Sequence, residues 1–459
     1  MDQHYASRSF WLGERDYTPS PPLEGHQRAD VAIVGGGYTG LWTAYYLKKA
    51  DPSLDVAVVE SQGVGYGASG RNGGFAMTLL DMSLHHLLRN HGKERAKAAH
   101  VAVADSVEEI GRVCAAESID CAFTHGGLMV VATNAGQERR VRMDYEAAQE
   151  MGLDDFRLMT GEQARAEVNS PTYQMALFEE HCAILDPARL AWGLKDALVR
   201  LGVKVFEHSP VISVSTRPTS VETARGLLDA EHVVLAANAY AYAFPWLKHR
   251  LVPLYTYIVL TEPLTDTQWE SVGWKNSQGI EDKRNYVHYY RPTPDGRISW
   301  GGSDGIVYFG AKAEPRHDRR ASTFTRLAGT FRKTFPQLAG VKFTHAWGGP
   351  VAITADFLPA FGSLEGGKIH YGFGYCGHGV APSNTGGQIL RDLVLGRDTE
   401  LANLVFVNRM PAAFPPEPIG WAGAELSRRA LLRQDGKMDR GEPVGDMDPL
   451  ILRILNKFS

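Results

Sequence analysis

Short apolar runs alternate with a helix-like segment near the start of the chain. Residues 30–34 read Asp-Val-Ala-Ile-Val and residues 55–60 read Asp-Val-Ala-Val-Val-Glu, so each contains an apolar run of strand length. Residues 41–50, which lie between them, have the composition and length of a helix. Two buried strands joined by a helix are typical of a parallel βαβ unit, so the pattern predicts an α/β domain here.

Further elements with the same alternation follow along the chain. Apolar residues at helical spacing predict helices over residues 82–118, 161–165 and 187–201. A strand over residues 203–207 follows the last of these helices, and residues 232–237 form another apolar run. Helix followed by strand indicates that the chain returns repeatedly to one parallel sheet.

The segment 251–304 has a different pattern. Residues 254–261 and 286–291 are long runs rich in aromatic and β-branched residues. A Pro-Asp-Gly turn at 294–296 leads into residues 297–301, which completes a predicted hairpin. We therefore expect a mostly antiparallel sheet in a second domain.

The turn after the first strand carries a glycine motif. Gly35, Gly37 and Gly40 fit G-x-G-x-x-G, and Glu60 ends the second strand. Gly35 permits a tight turn, Gly37 admits a pyrophosphate, and Gly40 allows close packing of helix and strand. Glu60 is placed to accept hydrogen bonds from a ribose. The motif predicts a bound dinucleotide; the alternative is a glycine-rich turn in an ordinary α/β domain.

A second glycine-rich stretch at 63–74 bears on which dinucleotide is bound. Six of its twelve residues are glycine, so it cannot form a regular helix or strand. Such a loop wraps closely around a flat ligand and offers it backbone N–H groups. A buried flavin needs this loop and a nicotinamide does not, so FAD is expected. The alternative is a flexible surface loop, against which Arg71 and Asn72 argue.

These motifs resemble those of a known family. Gly-Gly-Gly-Tyr-Thr-Gly-Leu at 35–41 and Gly-Ala-Ser-Gly-Arg-Asn-Gly-Gly at 67–74 are similar to the FAD-dependent amino-acid and amine oxidases, which include D-amino-acid oxidase, glycine oxidase and sarcosine oxidase. Segments at 185–194, 232–239, 347–356 and 374–380 extend the resemblance along most of the chain. It is greatest to the gamma-glutamylputrescine oxidase branch.

The glycine motifs and the resemblance together indicate a set of cofactor-binding residues, all on the predicted turns and strand ends. They are Gly35, Gly37, Tyr38, Thr39, Gly40, Glu60, Ser61, Gly67, Ala68, Ser69, Arg71, Asn72, Gly73, Gly74, Val211, Ala237, Asn238, Gly349, Asp356, Gly374, Gly377, His378, Gly379 and Val380. The resemblance places His378 beside the flavin ring; the alternative is that it only caps the following helix.

Substrate-binding residues are expected on the antiparallel strands. Period-2 alternation places Tyr255 with Tyr257 on one face and His288 with Tyr290 on one face. We expect the strands that carry these residues to lie over the flavin, with Tyr255, Tyr257, His288, Tyr289, Tyr290 and Arg291 on them.

Two further side chains each allow two interpretations. Arg291 is suited to a bidentate pair with a substrate carboxylate, or it is a structural charge at a strand end. Trp347 is suited to form an aromatic wall for a cationic amine, or it packs in the core.

The resemblance implies oxidation of a C–N bond to an imine by hydride transfer to flavin N5, with oxygen reduced to hydrogen peroxide. The family's sarcosine oxidases bind FAD through a cysteine in the segment matching 350–354, which has none here, so FAD is expected to be non-covalent. They also use a lysine on the strand matching 297–300, which is absent. A dehydrogenase with another acceptor therefore remains an alternative, as does a weakly catalytic flavin-binding subunit of a heteromeric complex.

Composition and charge exclude other classes. The net charge of −4 gives no reason to expect nucleic acid or an anionic membrane as a partner. The longest apolar run, 233–247, is too short to span a bilayer, and residues 1–8 do not resemble a signal peptide. Four cysteines without paired spacing indicate neither a disulfide framework nor a metal centre, so we expect a cytoplasmic protein that acts on a small amine or amino acid.

The pattern predicts a discontinuous Rossmann-like FAD-binding domain and a substrate domain built on a mostly antiparallel sheet. The expected boundaries are an N-terminal arm at 1–29, the FAD-binding domain at 30–80, 155–250 and 345–400, the substrate domain at 81–154 and 251–344, and a C-terminal tail at 401–459.

Overall fold

The computed structural model of the protein describes residues 7–14 and 16–442, so predictions for residues 1–6, 15 and 443–459 lie outside the described residues. The strands, in chain order, are β1 (Gly25–Arg28), β2 (Val31–Val34), β3 (Val56–Val59), β4 (Phe75–Ala76), β5 (Thr124–His125), β6 (Leu128–Ala132), β7 (Phe156–Thr160), β8 (Met175–Glu179), β9 (Ala183–Ile184), β10 (Lys204–Phe206), β11 (Val211–Thr216), β12 (Thr219–Thr223), β13 (Gly226–Asp229), β14 (His232–Leu235), β15 (Val252–Thr261), β16 (Gly279–Asp282), β17 (His288–Pro292), β18 (Ile298–Gly302), β19 (Ile306–Val307), β20 (Phe343–Ile353), β21 (Ala360–Leu364) and β22 (Ile369–Phe373).

The α-helices, in chain order, are α1 (Phe10–Gly13), α2 (Tyr38–Ala50), α3 (Leu84–His91), α4 (Lys93–Ala116), α5 (Ala135–Met151), α6 (Gly161–Glu167), α7 (Pro187–Arg200), α8 (Asp266–Val272), α9 (Ala321–Thr334), α10 (Val380–Val394) and α11 (Ile419–Asp439).

A six-stranded sheet holds the glycine motif. Its strand order is β10-β3-β2-β14-β22-β21, and every pair is parallel except β21 with β22. β2 and β3 pair in parallel with α2 between them in the chain, which is the predicted βαβ unit. The predicted Rossmann-like architecture is confirmed.

Helix α2 is buried between other helices. It packs against α7 and α10. A Cβ on Gly387 would lie 2.5 Å from the Cβ of Trp42, so a glycine in α10 permits this close approach. The tight packing holds the first turn of α2 in a fixed position at the end of the sheet.

A nine-stranded sheet forms the second layer. Its order is β19-β15-β18-β17-β16-β6-β8-β7, with β20 paired to β15, and its pairs are antiparallel except β16 with β6. The mostly antiparallel second sheet is confirmed. Strands β7 and β8 lie in this sheet, so residues 156–179 differ from the expected assignment to the FAD-binding domain. Apolar strand patterns do not show which sheet a strand joins.

The two chain ends of the described region also differ from the expectation. β1, from the expected arm, pairs in parallel with β13. The expected tail contains α11, a long helix that packs on β19 and α5. The helix expected over residues 82–118 is divided into α3 and α4 at Gly92, whose φ is +77°.

Within the described residues, no helix is long and apolar enough to cross a membrane.

Candidate functional site

The turn between β2 and α2 has room for a ligand only because of its glycines. Gly35 has φ +118°, and a Cβ there would lie 2.7 Å from the carbonyl oxygen of Ala236. A Cβ on Gly40 would lie 2.0 Å from the carbonyl oxygen of Gly35, so α2 packs against the turn only with glycine there. Around Gly37, only Ser69 Oγ would lie within 4 Å of a Cβ, at 3.0 Å, so this position faces open space.

The N-terminus of α2 presents backbone groups rather than a capping side chain to the smaller cavity. Gly37 is its N-cap residue and provides no side-chain cap. The N–H of Tyr38 donates to Ser69 Oγ at 2.9 Å, which brings the second glycine-rich loop over the helix end. Free N–H groups and the helix dipole attract phosphate at such a position.

Glu60 is bound to the turn by backbone donors. Its Oε2 accepts from the N–H of Gly36 at 2.7 Å, and its Oε1 accepts from the N–H of Gln62 at 2.9 Å. Burial raises the pKa of Glu60, and these two hydrogen bonds oppose the rise. The carboxylate is therefore held at the cavity edge, where a ribose hydroxyl would donate to it.

A cavity of about 300 Å³ lies at the carboxyl ends of the parallel strands. The predicted cofactor residues that line it are Gly35, Gly37, Tyr38, Thr39, Glu60, Ser61, Gly67, Ala68, Ser69, Asn72, Val211, Ala237, Asn238, Gly377, Gly379 and Val380. Ligands bind to open α/β sheets at this edge.

Arg71 holds the second glycine-rich loop in place. Its Nε donates to the carbonyl oxygen of Tyr66 at 2.6 Å, its Nη1 donates to Asp318 at 2.8 Å, and its guanidinium lies 4.7 Å from the Tyr66 ring centroid. Burial lowers the pKa of Arg71, but the nearby Tyr240 and Asp318 outweigh it and raise the pKa overall. Arg71 lines the larger cavity described below.

Asn72 shapes the same loop from within. Its Nδ2 donates to the carbonyl oxygens of Ala68 and Ser69, at 3.1 Å each, and its Oδ1 accepts from the N–H of Gly74 at 2.7 Å. The side chain thus fixes the loop backbone, while the residue lines both cavities.

A second cavity of about 1680 Å³ adjoins the first, and it is lined by strands of the nine-stranded sheet and by α11. Both cavities are lined by Ala68, Asn72, Pro350, Val351, Gly377 and Val380, so they meet between the second glycine-rich loop and the start of α10. An extended ligand with a phosphate centre and a flat ring at one end fits this arrangement. The glycine turn, the carboxylate and the wide second cavity together fit FAD.

His378 lies in the wall of the larger cavity between two carboxylates. Its Nδ1 is 2.9 Å from Asp81 Oδ1, and its Nε2 is 3.6 Å from Glu281 Oε2. Burial lowers the pKa of His378, but the two carboxylates outweigh it and raise the pKa to about 10. His378 is therefore an imidazolium at neutral pH. The N-cap of α10 is Gly379 without a side-chain cap, so His378 does not cap the helix.

The segment before α10 is held by its own backbone and by Asn238. Asn238 Oδ1 accepts from the N–H of Gly374 at 3.2 Å. Cys376 has φ +54° and its Sγ lies 3.2 Å from the carbonyl oxygen of Gly374. Burial raises the pKa of the Cys376 thiol, so it is a neutral group in the larger cavity.

Tyr255 and Tyr257 share a face of β15, as predicted, but it is the face away from the cavity. Tyr255 donates to the carbonyl oxygen of Glu314, and Tyr257 to that of His317, at 2.9 Å each. Both rings are buried in a core cluster with α9. The expectation that they lie over the flavin is therefore not met, because alternation groups residues by face without showing which face is covered. The residues of β15 that line the cavity are Val252, Leu254, Thr256 and Ile258.

Tyr290 is likewise directed into the core. Its hydroxyl lies 2.8 Å from that of Tyr173, and its ring stacks on Trp300 with centroids 4.1 Å apart. The neighbouring Tyr289 lines the cavity, and burial raises its pKa to about 12. His288 pairs with Asp282 on the face of Tyr290.

Arg291 is a structural residue. Its side chain is buried and donates to the carbonyl oxygens of Gly73 at 2.5 Å, Leu185 at 2.7 Å and Pro292 at 3.0 Å. Its guanidinium also lies over the ring of Trp11. Burial lowers its pKa to about 10. Since these carbonyls occupy its nitrogens and it lines neither cavity, the interpretation as a carboxylate-binding residue is wrong.

Trp347 packs in the core, and it also lines the larger cavity, so its predicted role toward a cationic amine stays a prediction. Its Nε1 donates to the carbonyl oxygen of Arg71 at 2.8 Å, and its ring packs edge-on against Trp11 at 6.1 Å. It also lines the larger cavity, together with Gly349, Gly73 and His378. It thus fixes the loop and contributes an aromatic wall.

Four predicted cofactor residues lie outside both cavities: Gly40, Gly74, Asp356 and Gly374. A Cβ on Gly74 would lie 2.2 Å from the carbonyl oxygen of Leu185, so this glycine serves packing. Asp356 pairs with Arg409 instead of holding a loop at the cofactor edge.

Helix α11 covers the larger cavity and was missed by the sequence analysis. Trp421, Leu431 and Met438 line the cavity from this helix. Buried Asp435 accepts from the N–H groups of Asn285 at 2.9 Å and Tyr286 at 3.2 Å, which anchors the helix to the second sheet. Its mixed polarity resembles a solvated tail, so the pattern did not show a buried face.

The carboxylates Asp81 and Glu281 were also missed. They lie far apart in sequence, in a turn before α3 and in β16, and no motif joins them. Only the fold brings them to His378.

Comparisons with known proteins agree with this geometry. A family model described as "FAD dependent oxidoreductase" (DAO) matches residues 30–393. The gamma-glutamylputrescine oxidoreductase of Escherichia coli (strain K12) is 34% identical over 399 residues, covering 86% of this chain and 90% of that protein. A probable oxidoreductase, OrdL, of Haemophilus influenzae is 30% identical over 411 residues, covering 86% of this chain and 90% of that protein.

Among solved structures, glycine oxidase from Geobacillus kaustophilus superposes with a TM-score of 0.71. It is 21% identical in sequence, and the match covers 84% of this chain and 100% of that chain. At this identity the likeness shows the fold.

Proposed function

The chain belongs to the DAO family of FAD-dependent oxidoreductases, and from this premise we propose that it oxidises the C–N bond of an amine or amino acid to an imine. When bound, FAD supplies the hydride acceptor. The chain's own residues bind the substrate, exclude water and hold the protons of its nitrogen. The imine is then released to hydrolysis.

The observation that carries this proposal is the position of the His378 trio, defined as His378, Asp81 and Glu281. It lies in the wall of the larger cavity, beside Gly377 and Val380, where the two cavities meet. The trio places two acidic side chains beside one imidazole, and this excess of acidic groups favours the entry of a cationic amine into the cavity.

The trio also suits the proton transfer that the reaction needs. Hydride leaves the carbon readily only when the nitrogen lone pair is free, so the substrate ammonium must lose a proton. We assign this proton to Glu281, whose Oε2 faces His378 Nε2 at 3.6 Å and whose side chain is almost fully buried.

The size of the cavity supports an extended substrate. Its volume of about 1680 Å³ is larger than a flavin ring with a small amino acid would fill. The 34% identical relative is named for gamma-glutamylputrescine, an aliphatic amine of extended shape. An extended aliphatic amine, with gamma-glutamylputrescine as the first compound to test, is the proposed substrate class.

Oxygen is the proposed acceptor, with hydrogen peroxide as the product. One observation favours a different acceptor. The sarcosine oxidases that the sequence resembles use a lysine on the strand matching residues 297–300, and β18 carries no lysine. Lys283, which lines the larger cavity, is bound to Asp144 at 2.6 Å. Oxygen uptake, compared with reduction of an artificial electron acceptor under the same amine, separates an oxidase from a dehydrogenase.

The experiment that tests the proposed function is anaerobic flavin bleaching. The purified holoenzyme is mixed with a panel of amines and amino acids, and loss of the visible flavin band is followed. Bleaching by an aliphatic amine, with formation of the corresponding aldehyde, supports the proposal. A holoenzyme that dithionite bleaches and that no amine or amino acid bleaches is a flavin-binding subunit, and the proposal fails.

A further inference from the structure

A cluster of three ionisable side chains lies away from both cavities. The His100 cluster is defined as His100 on α4, Asp155 in the loop before β7, and Glu179 at the end of β8. His100 Nε2 lies 3.9 Å from Asp155 Oδ2 and 3.8 Å from Glu179 Oε1. All three ligand atoms lie within 4.8 Å of one another. None of the three residues lines the larger or the smaller cavity.

The imidazole of His100 is buried without a hydrogen bond at the nitrogen that faces this cluster. His100 is 2% exposed, and its Nε2 has no hydrogen-bond partner. The distances of 3.8 and 3.9 Å to the carboxylates exceed those of an N–H···O hydrogen bond. Asp155 Oδ2 is also buried and unpartnered. Unpaired buried polar atoms are rare in proteins, so two that converge on one point indicate a bound group.

The surroundings hold the side chains of His100 and Glu179 and the backbone of Asp155. The ring of His100 packs at 5.5 Å from that of Phe156. Thr78 donates to Glu179 Oε1, and the N–H of Glu180 donates to the carbonyl oxygen of Asp155 at 3.3 Å. Two of the three ligands are therefore preorganised, and the third comes from a loop whose backbone is anchored beside them.

We propose that His100, Asp155 and Glu179 bind one divalent transition-metal ion, with zinc as the representative ion. One imidazole nitrogen and two carboxylate oxygens suit zinc and its neighbours in the first row, whereas magnesium and calcium bind oxygen ligands alone. A divalent ion also neutralises two carboxylates that burial disfavours in their charged form.

The geometry needs only a small contraction. Two ligands at about 2.1 Å from a tetrahedral ion are roughly 3.4 Å apart, so the two separations from His100 Nε2 are about half an ångström too long. All three ligand atoms lie within 4.8 Å of one another. Asp155 lies in a loop, and its side chain is 15% exposed, so it has room to move toward the other two.

The ion would link elements that support the active site. Glu179 is bonded to Thr78, which follows β4, and Met77 beside it lines the larger cavity. The ion therefore ties α4, β8 and the chain after the second glycine-rich loop together. It has a structural role, since none of its ligands lines either cavity. The spacing of cysteines gave no sign of it, because no cysteine takes part.

The test measures bound zinc against bound flavin. The FAD-containing protein is treated with a chelator, equilibrated with zinc sulphate and passed through a gel-filtration column. The wild type should retain one zinc ion per flavin and unfold several degrees higher than the chelated protein. The variants His100→Asn and Glu179→Gln should lose the zinc and the thermal shift while keeping their flavin. Equal zinc retention by wild type and both variants overturns the proposal, as does no retention by the wild type.

A surface group of two histidines and one glutamate provides the matched control. His125 Nε2 and His181 Nδ1 lie 3.5 and 3.4 Å from Glu108 at the surface. His125→Asn removes an imidazole of the same kind and should leave one zinc per flavin. Loss of zinc in His125→Asn but not in His100→Asn places binding at the surface and overturns the proposal.

Two further measurements keep the test decisive. If His100→Asn does not fold, Asp155→Asn replaces it, because Asp155 lies in a loop and is partly exposed. Zinc-edge X-ray absorption should show nitrogen and oxygen ligands with the signature of an imidazole. A shell of oxygen alone excludes His100 and overturns the assignment.

Discussion

Nδ1 of His378 lies 2.9 Å from Oδ1 of Asp81, in the wall of the larger cavity where it meets the smaller one. Glu281 lies on the other side of the same imidazole, at 3.6 Å from Nε2. The pair joins the start of α10 to the turn before α3. The ionisation state of His378 therefore affects both the charge of the site and the stability of the fold.

Replacing His378 should give a stability difference that depends on pH. The folded-state pKa of His378 is raised from 6.5 to about 10, so its charge stabilises the folded protein fully below about pH 6.5. That contribution is lost as the pH rises through about 10. The variant His378→Gln should therefore unfold at a lower temperature than the wild type near pH 7, and the difference should shrink toward pH 10.5. Thermal unfolding of the two FAD-containing proteins measures it.

An exposed histidine provides the control for this prediction. His26 pairs with Asp229 at the surface, and His26→Gln should change the midpoint little at either pH. If the deficit of His378→Gln is the same near pH 7 and near pH 10.5, the imidazole is not held charged by Asp81 and Glu281.

Gly37→Val should abolish retention of FAD. A side chain at this position fills the open space in front of α2 and also meets Ser69 Oγ, 3.0 Å from the Cβ. The pyrophosphate would then be excluded from the helix N-terminus. The ratio of flavin to protein after gel filtration should fall by about tenfold or more, since a tenfold loss corresponds to only about 1.4 kcal/mol of binding free energy.

Gly329→Val is the matched control, because Gly329 lies in α9 with nothing within 4 Å of its Cβ. It should lose a little stability and keep its flavin. A Gly37→Val protein that folds with full flavin content would show that the phosphates lie elsewhere.

Arg291→Met should lower stability and leave substrate binding unchanged. The substitution removes the guanidinium donors from the buried carbonyl oxygens of Gly73 and Leu185 and from the partly buried one of Pro292. The free energy of unfolding should fall by about 3 kcal/mol, measured by urea denaturation. Arg139→Met, at an exposed position on the larger cavity, should change it by less than about 0.5 kcal/mol. A raised KM for Arg291→Met with unchanged stability would restore its role in binding a substrate carboxylate.

Tyrosines on opposite faces of the second sheet should respond differently to the same substitution. Tyr289→Phe removes a hydroxyl on the cavity side, and kcat/KM should fall by about fivefold, the equivalent of roughly 1 kcal/mol. Tyr257→Phe removes a hydroxyl that is bonded to His317 and Tyr308 in the core. It should cost about 1 kcal/mol of stability and leave kcat/KM within about twofold. The reverse pattern would mean that the substrate lies on the α9 side of the sheet.

The sequence allowed the parts of the fold that depend on local chemistry to be predicted. The turn at Gly35 and Gly40 needs glycine for reasons that act within a few residues, so the βαβ unit and its cofactor were recognisable. The antiparallel hairpin after Tyr289 was recognisable from its turn and its alternation.

The parts that depend on long-range packing could not be predicted in the same way. Tyr255 and Tyr257 were correctly grouped, but which face meets the cavity depends on where α9 packs. Asp81, Glu281 and His378 lie far apart in the sequence, and only the tertiary fold brings them together. Helix α11 was read as a tail, because charged residues are interspersed in the sequence with the residues that line the cavity from this helix.

Anaerobic stopped-flow mixing of the FAD-containing protein with gamma-glutamylputrescine tests the central claim most directly. The account predicts that the visible flavin band bleaches with a rate that saturates with amine concentration, and that one aldehyde forms per flavin reduced. The rate should rise with pH until the bound amine is fully deprotonated, because only the neutral amine releases hydride. A flavin that dithionite reduces, but that neither this compound nor any other amine or amino acid bleaches, would contradict the claim that the protein oxidises a C–N bond.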